Sequence, residues 1–330
     1  VKIGRWEGTE RVAEGFIHDG RAIEFLDGWS VADALGAGLS DLRARFDAAT
    51  AAGAGVPLAE VRLLAPLRPA SVRDFVTFEE HVEGITAGVQ GTSDVPAEWY
   101  QAPTFYFTNP HTILGDGEML SPPVSERLDF ELEVAVVVGG QAGGASNLTP
   151  EAAAGLIFGY TILNDWSARD VQAREMKVHL GPAKGKDFGT SLGPWIVTAD
   201  EVAGYLDAEG FLELRAEAFV NGELIGTDLL SNMGWTFPEL VAYASRNSVV
   251  TPGDVLGSGT VGNGGCLGEL WGRNGGLTPP PLREGDEVRI VVEGLGRIVN
   301  RVGPAVSAPP VAAARPGDRR RARGGLQRRA

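Results

Sequence analysis

Two glutamates one residue apart, Glu131 and Glu133, interrupt a run that otherwise has the makeup of a buried strand, Asp129-Phe130-Glu131-Leu132-Glu133-Val134-Ala135-Val136. Side chains alternate across a strand, so the two carboxylates share one face while Phe130, Leu132, Val134 and Val136 share the other. They lie about 6–7 Å apart along the chain, close enough to serve one cation. Without such a partner the two charges repel and one tends to protonate. The run therefore predicts a strand with a packed core on one face and an anionic, cation-seeking site on the other.

The rest of the composition narrows what surrounds that strand. The 330 residues suggest two domains, or one large domain with a smaller attachment, and 43% hydrophobic residues are enough for a sizeable core. Net charge is −14, although the last sixteen residues hold seven arginines against the single acid Asp318, so the remainder is more acidic still. An acidic body argues against a nucleic-acid scaffold and suits an enzyme that gathers positive charge locally around an anionic substrate. The one cysteine, Cys266, precludes an internal disulfide and fits a reducing compartment. No run of about 18 apolar residues is present. Residues Val1 to Gly15 carry Lys2, Arg5, Glu7, Glu10, Arg11 and Glu14 in place of an apolar leader segment. A cytoplasmic protein without membrane or nucleic-acid partners is expected.

Residues 1–68 read as a small N-terminal unit with strands at Val1–Trp6 and Arg21–Phe25 and one helix from Ser30 to Ala52. Beyond Pro66 and Pro69 strands dominate: 104–108, 130–138, 155–163, 194–197, 212–220, 254–257 and 287–292. Asn221-Gly222 between alternating runs signals a two-residue hairpin. Helices are few, one beginning at Thr149-Pro150-Glu151, one over Asp165–Glu175 and one over Trp235–Ala244. The class is α+β and strand-rich, without regular βαβ alternation. The expected organisation is 1–68, then a catalytic unit over 69–303, then a disordered Ala/Pro/Arg-rich tail over 304–330.

Three further clusters bear chemistry. Asp165 with Arg169, Gln172 and Met176 reads as one helical stripe, an acceptor followed by donors suited to a metal-bound anion; the alternative is an N-cap and a surface ion pair. His81, in Asp74-Phe75-Val76-Thr77-Phe78-Glu79-Glu80-His81, has the chemistry of a general base for activating water, although a single histidine near acids is more often a surface side chain. Glu269, among apolar neighbours in Leu267-Gly268-Glu269-Leu270-Trp271, is either a buried hydrogen-bonded carboxylate or the group that orients His81. The loop Gly181-Pro182-Ala183-Lys184-Gly185-Lys186-Asp187 is not a nucleotide-binding P-loop: three residues separate its glycines, and an aspartate follows the lysine. Lys186 beside Gly185 still fits a backbone that approaches an anion closely.

From Asp74 to Val302 the order and spacing of these segments resemble the fumarylacetoacetate hydrolase family. The resemblance implies a mixed β-sandwich roll, usually dimeric, preceded by a small β-containing domain. It implies Asp74, Glu131, Glu133 and Asp165 as ligands of a divalent ion, Mg²⁺ first, with Ca²⁺ or Mn²⁺ as alternatives. His81 matches the general base and Glu269 the acid that orients it. Arg169, Gln172 and Lys186 match groups that bind substrate or stabilise developing charge, and Gly189, Thr190 and Thr260 match residues lining the same site. Val76 and Met176 stand where the fumarylacetoacetate-cleaving members carry tyrosines. Gly84 stands where shorter acylpyruvate hydrolase and oxaloacetate decarboxylase relatives place a glutamate three residues after their lid histidine, and Glu83 falls one residue short of that position.

The function expected is metal-dependent hydrolysis of a C–C bond in a β-diketo or acylpyruvate-type acid, since two substrate oxygens can chelate a hard ion held by oxygen ligands. Isomerisation or decarboxylation of a related keto acid needs the same enolate without an attacking water. A catalytically silent metal-binding protein is the remaining alternative.

Overall fold

A computed structural model describes residues 1–8, 11–53, 55–90 and 94–314. The Arg-rich stretch of the expected disordered tail, 315–330, lies outside the described residues. The fold is strand-rich α+β, a large mixed sheet packed on a smaller five-stranded one. From the N-terminal strand Lys2–Glu7 the large sheet continues through Thr190–Thr198, Ile157–Asp165, Leu132–Val138, Val255–Gly257 and Val72–Phe75 to Phe105–Thr108 at its edge, in that spatial order. The N-terminal strands extend this sheet, with Lys2 opposite Val197 and Ile3 opposite Ile196. In the smaller sheet, Arg215–Val220 and Glu223–Leu229 meet at Asn221-Gly222, both at positive φ, as the hairpin signal predicts.

Alternation along the strands assigns each face of the large sheet its own core. Leu132, Val134, Val136, Tyr160 and Ile162 pack with Ala216, Ala218, Ile290 and Ile298 of the smaller sheet. On the opposite face Val72, Ala135, Val137, Leu163 and Val255 pack with Val31, Ala34, Leu35 and Leu42 from the N-terminal helices. Burial of each such Val, Leu or Ile side chain stabilises the fold by about 1.5–3 kcal/mol before entropy is counted. Two residues further toward one end of this second face, four strands carry Asp74, Glu133, Asp165 and Gly257 in place of apolar residues. One end of the face is thus core and the other is site.

Three local expectations need correction. Ser30 caps a helix over Val31–Ala37, but Gly38, at φ 86°, ends it, and a second helix runs Leu39–Ala51. That dihedral cannot continue a right-handed helix. Asp165 ends the strand Ile157–Asp165, where it pairs with Thr190, and the following helix is Arg169–Met176. The ladder with Thr190–Thr198 thus outlasts the apparent helical spacing from Asp165. Finally, Glu131 lies in a break between the short strand Leu128–Asp129 and Leu132–Val138. There the Asn164 side chain accepts from the Glu131 amide at 3.0 Å, taking the place of a ladder bond.

Candidate active site

At the site end of the sheet, carboxylate oxygens of Asp74, Glu131 and Glu133 all lie within 4.8 Å of one another, and all three residues are buried. Asp165 is tied to this trio by Lys186, whose ammonium donates to Asp165 Oδ2 at 2.7 Å and to Glu131 Oε2. The four predicted carboxylates therefore converge, although they come from separate strands and one strand break.

Gly257 makes the convergence possible. It pairs with Ala135 on one side and Asp74 on the other. A Cβ at this position would stand 2.5 Å from Asp74 Oδ1 and 2.8 Å from Glu133 Oε2. No sequence motif marks this glycine as part of the site; only its position between the two acidic strands reveals it.

The charges are compensated unequally. Burial would raise Glu131, yet Lys186 and then Arg169 outweigh it and hold the carboxyl below the ordinary range. Asp74 is pushed up to about 7, first by burial and then by Asp165. Glu133 rises well above the usual range through burial and then Asp74. Burial also raises Asp165 against the pull of Lys186. Asp74 Oδ1, both Glu133 oxygens and Asp165 Oδ1 are buried without a hydrogen-bond partner among the described residues. Orphaned carboxylate oxygens of this kind are costly to bury. An all-oxygen set aimed over a missing Cβ fits a hard divalent cation.

Arg169, the first residue of its helix, reaches back over the acids. Its Nε donates to Asp129 Oδ2 at 2.8 Å, its terminal nitrogens to Glu131 Oε1 at 2.7 Å and Gln172 Oε1 at 3.2 Å. Asp129 also accepts from the amides of Leu267 and Gly268, both at 2.8 Å, at the start of the helix Leu267–Asn274. Asp129 is absent from the residues singled out by the sequence, as is Tyr106, whose hydroxyl donates to Asp165 Oδ2. Both roles rest on long-range contacts that no local spacing encodes.

His81 stands on the helix Glu79–Gln90, which packs against Leu267–Asn274. Its Nδ1 is 3.7 Å from Glu269 Oε2. The other Glu269 oxygen is held by the Gly264 amide at 3.1 Å and Arg273 at 2.9 Å, leaving Oε2 without a hydrogen-bond partner among the described residues. Cys266 caps this second helix, its Sγ accepting from the Glu269 amide.

The remaining predicted residues are less uniform. Thr190 lies opposite Asp165, its hydroxyl buried and without a hydrogen-bond partner among the described residues. Gly189 packs on Leu120 and Leu114, where a Cβ would approach Leu120 Cδ1 to 2.7 Å. Gly185 packs as closely on Gln172, which brings the Lys186 loop onto the Arg169 helix. Thr260 is buried. No described helix is long and apolar enough to cross a membrane.

Residues 70–303 match the family model described as fumarylacetoacetate (FAA) hydrolase C-terminal. The chain is 30% identical over 249 residues to the oxaloacetate tautomerase YisK of Bacillus subtilis, a match covering 74% of each protein. It is 29% identical over 283 residues to a fumarylacetoacetase of Arabidopsis thaliana, covering 70% of this chain and 66%, just under two thirds, of that one. Among solved structures, the 5-carboxymethyl-2-hydroxymuconate delta-isomerase of Mycobacterium smegmatis superposes with TM-score 0.66 at 25% identity, covering 92% of this chain and all of that one.

Proposed function

Because the chain belongs to the fumarylacetoacetate hydrolase family, we propose that it is a divalent-metal-dependent enzyme that hydrolyses a C–C bond in a β-diketo or acylpyruvate-type acid. The observation that carries this reading is the buried His81–Glu269 pair beside the carboxylate cluster. A pair of this kind activates water: the histidine accepts the proton, and the carboxylate behind Nδ1 sets the ring and balances its charge. The 3.7 Å spacing is longer than a hydrogen bond, as such contacts often are before substrate tightens them.

Asp74, Glu131, Glu133 and Asp165 would hold the ion, with Mg²⁺ favoured and Mn²⁺ or Ca²⁺ drawing on the same oxygen chemistry. When bound, the ion supplies positive charge that polarises a substrate carbonyl. The chain's own groups do the rest. His81 takes the proton of water as it attacks the second carbonyl. Lys186 has one donor left after its bonds to Glu131 and Asp165, and with Arg169 it steadies the substrate carboxylate and the developing oxyanion. Gln172, anchored by Arg169, adds an amide donor at the rim.

A second reading, isomerisation or tautomerisation of a related oxo acid, draws support from the tautomerase and isomerase among the relatives. It uses the same enolate-stabilising groups without an attacking water. Product analysis across a panel of β-diketo acids, with and without EDTA and added Mg²⁺, separates the two. Hydrolysis gives two acids and conversion at constant mass gives one. On the hydrolytic reading His81→Ala lowers turnover by about 10²–10⁴-fold. Near wild-type turnover in that variant would remove His81 as base.

A further inference from the structure

Beside the four-carboxylate site is a second group of potential ligands with different chemistry. One atom each from His81, Cys266 and Glu131 lies within 4.8 Å of the other two, and all three residues are buried. The first site offers only oxygen. This one offers an imidazole, a thiol and a carboxylate.

We infer that His81, Cys266 and Glu131 form a second metal site, selective for a borderline or thiophilic divalent ion such as Zn²⁺. The spacing fits. Tetrahedral zinc with ordinary sulfur and nitrogen bond lengths separates those two ligand atoms by about 3.6 Å. In this chain Cys266 Sγ and His81 Nδ1 are 3.8 Å apart. Glu131 is held by Arg169 and Lys186, but each carboxylate oxygen has a second lone pair to offer. Glu269 Oε2, buried, unpartnered and 3.7 Å from the same imidazole nitrogen, stands within reach as a fourth donor.

The surrounding charge favours the same ion. Asp129, Glu131 and Glu269 set negative charge around Cys266, with Arg169 as the opposing cation. A dication answers those same carboxylates and stabilises the thiolate that binds it. Thiolate and imidazole also separate the two sites by softness: Mg²⁺ and Ca²⁺ prefer the oxygen cluster, and Zn²⁺ prefers the sulfur. Glu131 belongs to both groups, so an ion at the second site draws on a ligand of the first. On the hydrolytic reading above, zinc there also withdraws His81 from water activation and acts as an inhibitor.

Co²⁺ is the probe, because cobalt–thiolate bonds absorb in the near ultraviolet and Cys266 is the chain's single cysteine. The protein is first saturated with Mg²⁺ and then titrated with Co²⁺. The expected result is a sulfur-to-cobalt band that saturates at one equivalent per chain and is bleached by one equivalent of Zn²⁺. Cys266→Ser, whose hydroxyl can keep the helix cap, and His81→Ala should each lose the band while retaining the wild-type circular dichroism spectrum. A titration with no band overturns the site. So does a band of undiminished intensity and affinity in His81→Ala, since the imidazole would then not be a ligand. The absorbance readout is independent of turnover, so it stands or falls apart from the hydrolytic assignment. Where a substrate is in hand, Zn²⁺ should inhibit the wild type at concentrations at least tenfold below those affecting Cys266→Ser, each measured against its own zinc-free rate.

Discussion

Gly84 lies directly against Glu269. A Cβ at Gly84 would overlap Glu269 Cγ and stand 3.2 Å from its carbonyl oxygen, so the absence of a side chain lets the two helices close on each other and brings Glu269 up to His81. The family resemblance read from the sequence implies a lid glutamate at the position of Gly84 in shorter members. Here the space for a side chain is taken by the Cγ and backbone of Glu269 on the other helix. Gly84→Ala should therefore push Glu269 away from His81 and lower turnover at least tenfold while leaving Mn²⁺ affinity unchanged. Steady-state kinetics paired with metal calorimetry checks it; unaltered turnover in a folded variant would mean that Glu269 does not orient the base.

Gly257 predicts the complementary behaviour. Its missing Cβ leaves room for Asp74 and Glu133 above it, and an added methyl would sit 2.5 Å from one carboxylate and 2.8 Å from the other. Neither acid can retreat easily, since both side chains are buried on central strands. Gly257→Ala should weaken Mg²⁺ or Mn²⁺ binding by at least tenfold. If calorimetry instead returns the wild-type affinity, the ion is not held over Gly257.

The two glutamates were legible in the sequence because acids in a buried strand violate the pattern around them. Asp74, Glu131, Glu133 and Asp165 as one ligand set, with His81, Glu269 and Lys186 beside them, is what the family resemblance implies, and the structure adds their convergence. Other features are set by tertiary contact and leave no local mark. Asp129 reads as the polar start of a strand until the Leu267–Asn274 helix and Arg169 are brought to it. Tyr106 reads as one aromatic among several in Phe105–Thr108. Gly257 is one glycine in a glycine-rich stretch. The spacing of Asp165, Arg169 and Gln172 also fits a helix, and only the ladder to Thr190 shows that Asp165 belongs to a strand.

Asp129 is predicted to be a positioning residue. It receives Arg169 and two amides of the helix that carries Glu269, so it joins both halves of the site. Asp129→Asn keeps the shape but leaves the Arg169 guanidinium with a neutral partner in a buried setting. Removing one partner of a buried pair costs about 3–5 kcal/mol, and the asparagine can retain part of the hydrogen bonding, so a loss of about 2–4 kcal/mol is expected. Denaturant unfolding measures the loss, and substrate KM should rise through misplacement of Arg169. A change under about 0.5 kcal/mol would show that Arg169 and the helix amides do not depend on the Asp129 charge.

The raised carboxyls make metal binding pH-dependent, with a definite sign. Burial, then Asp165, lifts Asp74 to about 7, and Glu133 is raised as well by burial and Asp74. Below pH 7 the metal-free protein therefore holds protons where the ion must bind, and binding releases them. The apparent association constant for Mn²⁺ should rise by up to about tenfold per pH unit between pH 5 and 7 as the Asp74 proton is displaced, and the raised Glu133 carboxyl adds a further rise of the same sign. Stability of the metal-free protein follows the opposite course. A carboxyl whose folded pKa exceeds its unfolded value contributes fully below the unfolded value, and that contribution is lost as pH rises through 7. Metal-free Tm should thus fall between pH 5 and 8, and saturating Mg²⁺ should remove most of the fall. Scanning calorimetry with EDTA and with Mg²⁺ provides the comparison. A metal-free Tm that climbs over this range would show that Asp74 is ionised throughout and that Lys186 and Arg169 compensate the whole cluster rather than Glu131 alone.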